Sequence, residues 1–263
     1  MKISHETPIS LLEYSTEFND YDYALVHLFE EYTKYFDFFK KSISQGRTVI
    51  LDNSIFELGK AFDSDRFAYW IQQLNPTEYI IPDSLENCVE TITQAEEWFS
   101  KYSDLPGKKI GVVQGKTLHE IEHCYQRLLQ LGVDKVAISF DYSLYEKLYP
   151  HENKIVSWCF GRVLLINTLI ERGVIDYSIP HHLLGCSSPL EFTLYKSEKY
   201  RFLESLDTSN PIVHSILNSK YDFSYKLFEK PSVKLYELIE YTVTPDQYKL
   251  VLENTKIFRN FVN

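Results

Sequence analysis

Short apolar runs that do not alternate with polar residues recur along this chain, and a stretch of helical periodicity follows most of them. The runs cover residues 1–4, 23–28, 47–52, 79–83, 109–114, 135–140, 182–186 and 202–207. A continuous apolar strand is one buried on both faces, as in a parallel sheet covered by helices. Eight such strands, each feeding a helix, close most economically as an α/β fold of the (β/α)8 TIM-barrel type. A doubly wound open sheet would need fewer strands and a glycine-rich first turn, and that turn is missing.

Helix signals fall between the runs. An aromatic-rich helix is expected over about 32–43 with Gly46 closing it, and a second, capped by Asp63 or Ser64, runs through Leu74. Asn87 with Glu90, Thr117 with Glu120 and Ser188 with Glu191 have capping-box spacing. The first of these three helices is expected to bury Val89, Ile92 and Phe99, and the second to bury Leu118, Ile121, Tyr125 and Leu128 before Gly132 ends it. Further helices are expected over about 155–172 and 245–261. With 263 residues and 44% hydrophobic content, one domain can bury a full core. The barrel is expected over about 1–219, with a short C-terminal extension over about 220–263.

Composition narrows the function. A net charge of −10 opposes broad nonspecific binding to nucleic acid and leaves room only for a local basic groove. Cys88, Cys124, Cys159 and Cys186 are scattered, with no pair at metal-ligand spacing and no signal peptide at the N-terminus. The expectation is a reducing, cytoplasmic setting, free thiols, no metal and no cofactor. No apolar run approaches the roughly 20 residues that span a bilayer, so no membrane is expected. With only 9 glycines the chain shows no phosphate-cradling loop.

Polar residues close the strands. In a barrel the C-terminal strand ends surround one mouth, so Asp52, Asp83, Gln114, Ser139, Gly185 and Asp207 are expected to face a common pocket. Three carboxylates in one place raise one another's pKa values, which serves acid–base chemistry near neutrality. The Gln114 amide offers a donor and an acceptor, suited to reading the edge of a planar heterocycle. A lone Asp at a strand end is more often a cap or a turn residue; it is the convergence that argues for a site. His181 and His182 are adjacent on a strand and are expected on opposite faces. Beyond residue 219, Lys220, Lys226, Lys230 and Lys234 interleave with aromatic residues, and this run reads either as a strand-binding edge or as a solvated loop.

The strand-end segments resemble a known family. Ile50-Leu51-Asp52-Asn53-Ser54-Ile55-Phe56-Glu57 is similar to the Asp-Ser-Gly-Gly-Phe-Gln segment of tRNA-guanine transglycosylases, and Ile81-Pro82-Asp83-Ser84 lies where those enzymes carry a base-reading Asp. Gly111-Val112-Val113-Gln114-Gly115 is similar to their Gly-Ile-Val-Gln-Gly, and His182-Leu183-Leu184-Gly185 with Ser188-Pro189 to their Tyr-Leu-Met-Gly and later Thr-Pro. The form Ser205-Leu206-Asp207-Thr208-Ser209 in so short a chain is most similar to the phage-type DNA 7-deazaguanine transglycosylases.

The resemblance implies exchange of guanine for a 7-deazaguanine, preQ0-like base by double displacement. Asp207 would be the nucleophile and Asp52 the proton donor and acceptor. Asp83 and Gln114 would read the base, with Gly115, Ser139, Phe140 and Gly185 around it. Departures accompany the likeness. Ser54 and Ile55 stand where the family has two glycines, Ser139 and Phe140 replace another glycine pair, and the C-terminal zinc motif is absent. That last loss favours DNA over tRNA as the acceptor, with Lys220, Lys226, Lys230 and Lys234 holding the strand. A homodimer is left open. So are a tRNA-guanine transglycosylase, a nucleoside hydrolase or glycosylase, and a catalytically silent nucleic-acid-binding barrel.

Overall fold

The structure, a computed structural model, describes residues 1–139, 142–221, 228–229, 231 and 233–263, with the side chain of Tyr142 left aside. Phe140, Lys226 and Lys230 therefore lie outside the described residues. The strands are β1 (Lys2–Ser4), β2 (Asp22–Leu25), β3 (Val49–Asp52), β4 (Glu78–Ile80), β5 (Lys108–Val113), β6 (Lys135–Ile138), β7 (His181–Leu183) and β8 (Leu203–Asp207). All pair in parallel, in the order β1-β8-β7-β6-β5-β4-β3-β2, and make a nearly closed barrel with helices around it. The helices are α1 (Leu28–Glu31), α2 (Thr33–Ser44), α3 (Ile55–Leu58), α4 (Ser64–Leu74), α5 (Cys88–Lys101), α6 (Leu118–Leu131), α7 (Tyr142–Leu148), α8 (Lys154–Glu171), α9 (Asn210–Ile216) and α10 (Pro245–Val262).

Side chains and one backbone bond, from Asp20 N to Ile3 O at 2.8 Å, close the seam between β1 and β2, the two ends of the strand order. The Asn19 amide accepts from His5 N at 2.7 Å and donates to His5 O at 2.9 Å, while Asp20 Oδ2 accepts from Ile3 N at 2.8 Å. Arg259 of α10 lies across the same seam, donating to Asp20 Oδ2 and to the Phe18 carbonyl, both at 2.9 Å. Asn19 is buried, so its loss strands a backbone donor and an acceptor away from water. Asn19→Ala is expected to cost about 2–3 kcal/mol in urea unfolding; a loss below 0.5 kcal/mol, on the order of an ordinary surface change, would show the seam is held otherwise.

Caps fix the helix starts. Asp63, Asn87 and Thr117 each accept from the backbone three residues on, as their spacing predicts, and Thr244 and Gln247 form a reciprocal capping box at α10. Three expectations need correction. Glu90 accepts from Gln94 Nε2 and Glu120 from Lys116 N, so the caps at Asn87 and Thr117 lack the reciprocal half of a capping box. Val89 is 74% exposed, because α5 turns Cys88, Thr91, Ala95 and Trp98 inward instead. Ser188 accepts from Leu190 N and starts a 3₁₀ segment, Pro189–Tyr195, but Glu191 does not turn back to complete a box. Its carboxylate is buried against Arg162 of α8 at 2.6 Å. The helix expected within the C-terminal extension, α10, packs on α9 and on the Pro189–Tyr195 segment, with Val251 and Phe258 wholly buried. All four cysteines are free and buried, and no described helix is long and apolar enough to cross a membrane.

Candidate active site

A cavity opens at the C-terminal ends of the strands, with about 910 Å³ of atom-free space including its open mouth. Asp52, Asp83, Gln114, Ser139, Gly185 and Asp207 all line it, although they come from β3, β8 and the turns after β4, β5, β6 and β7. Gly115 is buried but is not among the lining residues; a Cβ there would meet the Glu120 Cβ at 2.8 Å, so this glycine serves the close approach of the first turn of α6. Gly185 has φ +60° with nothing within 4 Å of where a Cβ would stand, so left-handed backbone is the reason for glycine at that turn.

One wall joins the two carboxylates expected to do chemistry. Asp52 accepts from the Tyr23 hydroxyl and from Ser54 N, two short hydrogen bonds. Ser54 takes φ +62°, the left-handed conformation that glycine adopts most readily. Burial holds the Tyr23 hydroxyl protonated, with Asp207 and Asp52 adding to the effect, so Tyr23 is the donor. The Tyr23 ring stacks on His182 at 6.0 Å, and His182 Nε2 lies 2.9 Å from Asp207 Oδ1. Desolvation raises Asp52 to about 6, Tyr23 and Ser54 pull against that, and Asp207 adds to the rise. A group poised there can give and take a proton near neutrality.

A second wall is built around Asp83. Its two oxygens accept from Asn53 Nδ2 at 2.8 Å and Gln114 Nε2 at 2.7 Å, and Gln114 Oε1 accepts from Glu86 N at 2.9 Å. Gln114 thus positions Asp83 first, keeping one N–H and one lone pair for a ligand. Burial raises Asp83 to about 6, against the pull of Asn53 and Gln114. An acid raised above its unfolded value of about 3.9 binds more protons in the native state, so its contribution to stability falls as pH rises from about 4 to about 6. Asp83→Asn removes that titration. The loss of unfolding free energy between pH 4.5 and 7 is expected to be smaller in the variant by on the order of 1–3 kcal/mol. Equal pH slopes in urea titrations would place an ordinary carboxylate at this position.

The lysines separate. Lys234 lines the cavity rim, donating to Phe56 O at 3.0 Å with its Nζ 5.0 Å from the Phe56 ring centre. Lys220 instead pairs with Glu253 of α10 at 2.6 Å and is not among the lining residues. Tyr23, Asn53 and His182 were not singled out as site residues from sequence, nor was Glu6, which also lines the cavity. Among the described residues no cluster of His, Cys, Asp and Glu has an arrangement that could hold a metal.

No family model matches the chain. No curated protein matches it. Among solved structures, it is similar to the carboxyl transferase domain of pyruvate carboxylase from Rhizobium etli with 3-bromopyruvate, at 10% identity and a TM-score of 0.50 over 99% of this chain and 47% of that one. The same domain with 3-hydroxypyruvate matches at 10% identity and a TM-score of 0.46, over 87% of this chain and 37% of that one. The chain therefore spans less than half the length of these structures. At such identity the likeness is one of fold.

Proposed function

We propose that this chain is a transglycosylase that exchanges guanine for a 7-deazaguanine base in a polynucleotide, with DNA as the acceptor. The observation that carries the reading is the placing of Asp52 and Asp207 on one cavity, joined through Tyr23 and His182, beside the buried Asp83–Gln114 pair. An N-glycosidic bond breaks through an oxocarbenium-like state that a carboxylate can trap. Asp207 attacks C1′ of the sugar, and the bond to the base breaks with its electron pair on the base nitrogen, which takes a proton from Asp52. Asp52 then removes a proton from the incoming base, whose nitrogen displaces Asp207. Asp83 accepts hydrogen bonds from the edge of each base in turn, and Lys234 at the rim meets the backbone phosphate.

Incubating the protein with DNA, tRNA and labelled deazapurine bases in parallel tests the whole reading. Incorporation of label into DNA is the expected result. Label in tRNA alone would reverse the choice of acceptor, and net release of guanine without label would make the enzyme a hydrolase. The proton donor adds a pH signature. Asp52 must be protonated for guanine to leave, so the single-turnover release rate is expected to fall about tenfold per pH unit above about 6. Asp52→Asn is expected to be slow at every pH and flat across that limb. A variant that kept the slope would place the acid elsewhere.

A further inference from the structure

His182 is a buried group beside Asp207 that the reaction as written leaves without a task. Its side chain is wholly enclosed on β7, where the register against β8 shifts: His181 pairs with Leu203 but His182 with Ser205, leaving Glu204 as the extra residue of a bulge. The bulge sets Ser205 and Asp207 on the same face as His182, while His181 points outward to the Tyr125 hydroxyl at 3.1 Å. His182 Nδ1 lies 2.9 Å from Ser205 Oγ, and Nε2 lies 2.9 Å from Asp207 Oδ1. The Tyr23 ring stacks on one face of the imidazole and the Tyr21 ring meets it edge-on at 6.5 Å.

With Asp207 ionised, as attack on the sugar requires, these contacts admit one tautomer. An ionised carboxylate only accepts, so Nε2 carries the hydrogen, and Nδ1 then accepts from the Ser205 hydroxyl. Burial lowers the imidazole to about 3; Lys135 and Arg162 push the same way, and Glu78 and Glu204 push back, so the ring is neutral across the physiological range. Gly185 N reaches the same Oδ1 at 3.4 Å.

We infer that His182 is a positioning residue whose Nε2–H, together with Gly185 N–H, holds Asp207 Oδ1 throughout the exchange and so fixes the carboxylate for attack on the sugar. This rests on the transglycosylase reading. In the first step a carboxylate lone pair of Asp207 forms the bond to C1′ as the bond to guanine breaks; in the second, the incoming nitrogen bonds to C1′ and the C1′–O pair returns to the carboxylate. Two fixed donors on Oδ1 keep the ester oriented and stabilise the carboxylate as it leaves, as preorganised donors do where charge develops.

The test has two arms. Long-range proton–nitrogen spectra of the full chain labelled at histidine, with the His182 signals identified by their loss in His182→Gln, are expected to show a neutral ring protonated on Nε2 from pH 5 to 8. A ring protonated on Nδ1, or an imidazolium at pH 7, would overturn the inference. In single turnover with guanine-containing DNA, 9-deazaguanine, which has carbon in place of the attacking nitrogen, holds the adduct, and a labelled 7-deazaguanine then resolves it. His182→Phe is expected to slow resolution by about 10²–10³-fold, the loss typical for one such donor, with affinity for the free base unchanged. His182→Gln, which keeps an N–H donor, is expected to recover to within about tenfold of the parent. Resolution by folded His182→Phe at the parent rate would also overturn it. If the parent chain forms no adduct, the transglycosylase reading falls, and the ring-nitrogen spectrum still decides the His182 contact.

Discussion

Asp207→Asn is expected to fold, to bind free base as the parent does, and to form no covalent adduct with polynucleotide. Displacement at C1′ needs an ionised oxygen, and an amide of the same shape supplies none. The fold has reason to survive. Asp207 ends β8 in register with Ser4 of β1, and the asparagine carbonyl still accepts from His182 Nε2 and Gly185 N. If Asp207 is the nucleophile, as proposed, its loss leaves only the binding and electrostatic parts of catalysis, so exchange is expected to fall by about 10³-fold or more. Asp52→Asn differs in kind. It retains the nucleophile, so any adduct forms slowly and resolves slowly. A denaturing gel of each variant with DNA and 9-deazaguanine separates the two, and a parent-level adduct from Asp207→Asn would overturn the assignment of the nucleophile.

The legible part of this site is the part set by topology. Parallel strands put all their C-terminal ends at one mouth, so the polar residues that stop the apolar runs at Asp52, Asp83, Gln114 and Asp207 had to meet once the barrel closed. Helix starts were legible for the same local reason: the Asp63, Asn87 and Thr117 side chains answer backbone N–H groups only three residues away. The supporting groups gave no such signal. Tyr23 is one of 20 tyrosines and, among the described residues, the one that lines the cavity, and its bond to Asp52 depends on two neighbouring strands in register. His182 faces Asp207 only because β8 carries a bulge that apolar patterning does not encode. Asn53 reads as a turn residue until β4 brings Asp83 within reach. Glu191 was misread because its spacing from Ser188 suits a cap, while its partner, Arg162, lies 29 residues earlier inside a helix.

That misread pair carries the largest expected effect on stability. Arg162 and Glu191 side chains are both fully enclosed, with Arg162 Nε 2.6 Å from Glu191 Oε1 and Nη2 2.9 Å from Oε2. The same guanidinium donates to the carbonyls of Leu184 at 2.7 Å and Gly185 at 3.0 Å, so it also clamps the turn whose Gly185 N–H reaches Asp207. Arg162→Met leaves the Glu191 carboxylate in the core with the Tyr195 hydroxyl, 2.7 Å away, and without its cation. Removing one partner of a buried pair costs about 3–5 kcal/mol, whereas replacing both by apolar groups is often near neutral. Arg162→Met is therefore expected to lose about that much in urea unfolding, and the double variant Arg162→Met with Glu191→Leu to regain most of it. Exchange activity should not return with stability, because neither replacement donates to the Leu184 and Gly185 carbonyls. A double variant that recovered stability and full exchange together would show that Arg162 serves only to neutralise Glu191 and that the turn after β7 holds its shape without the clamp.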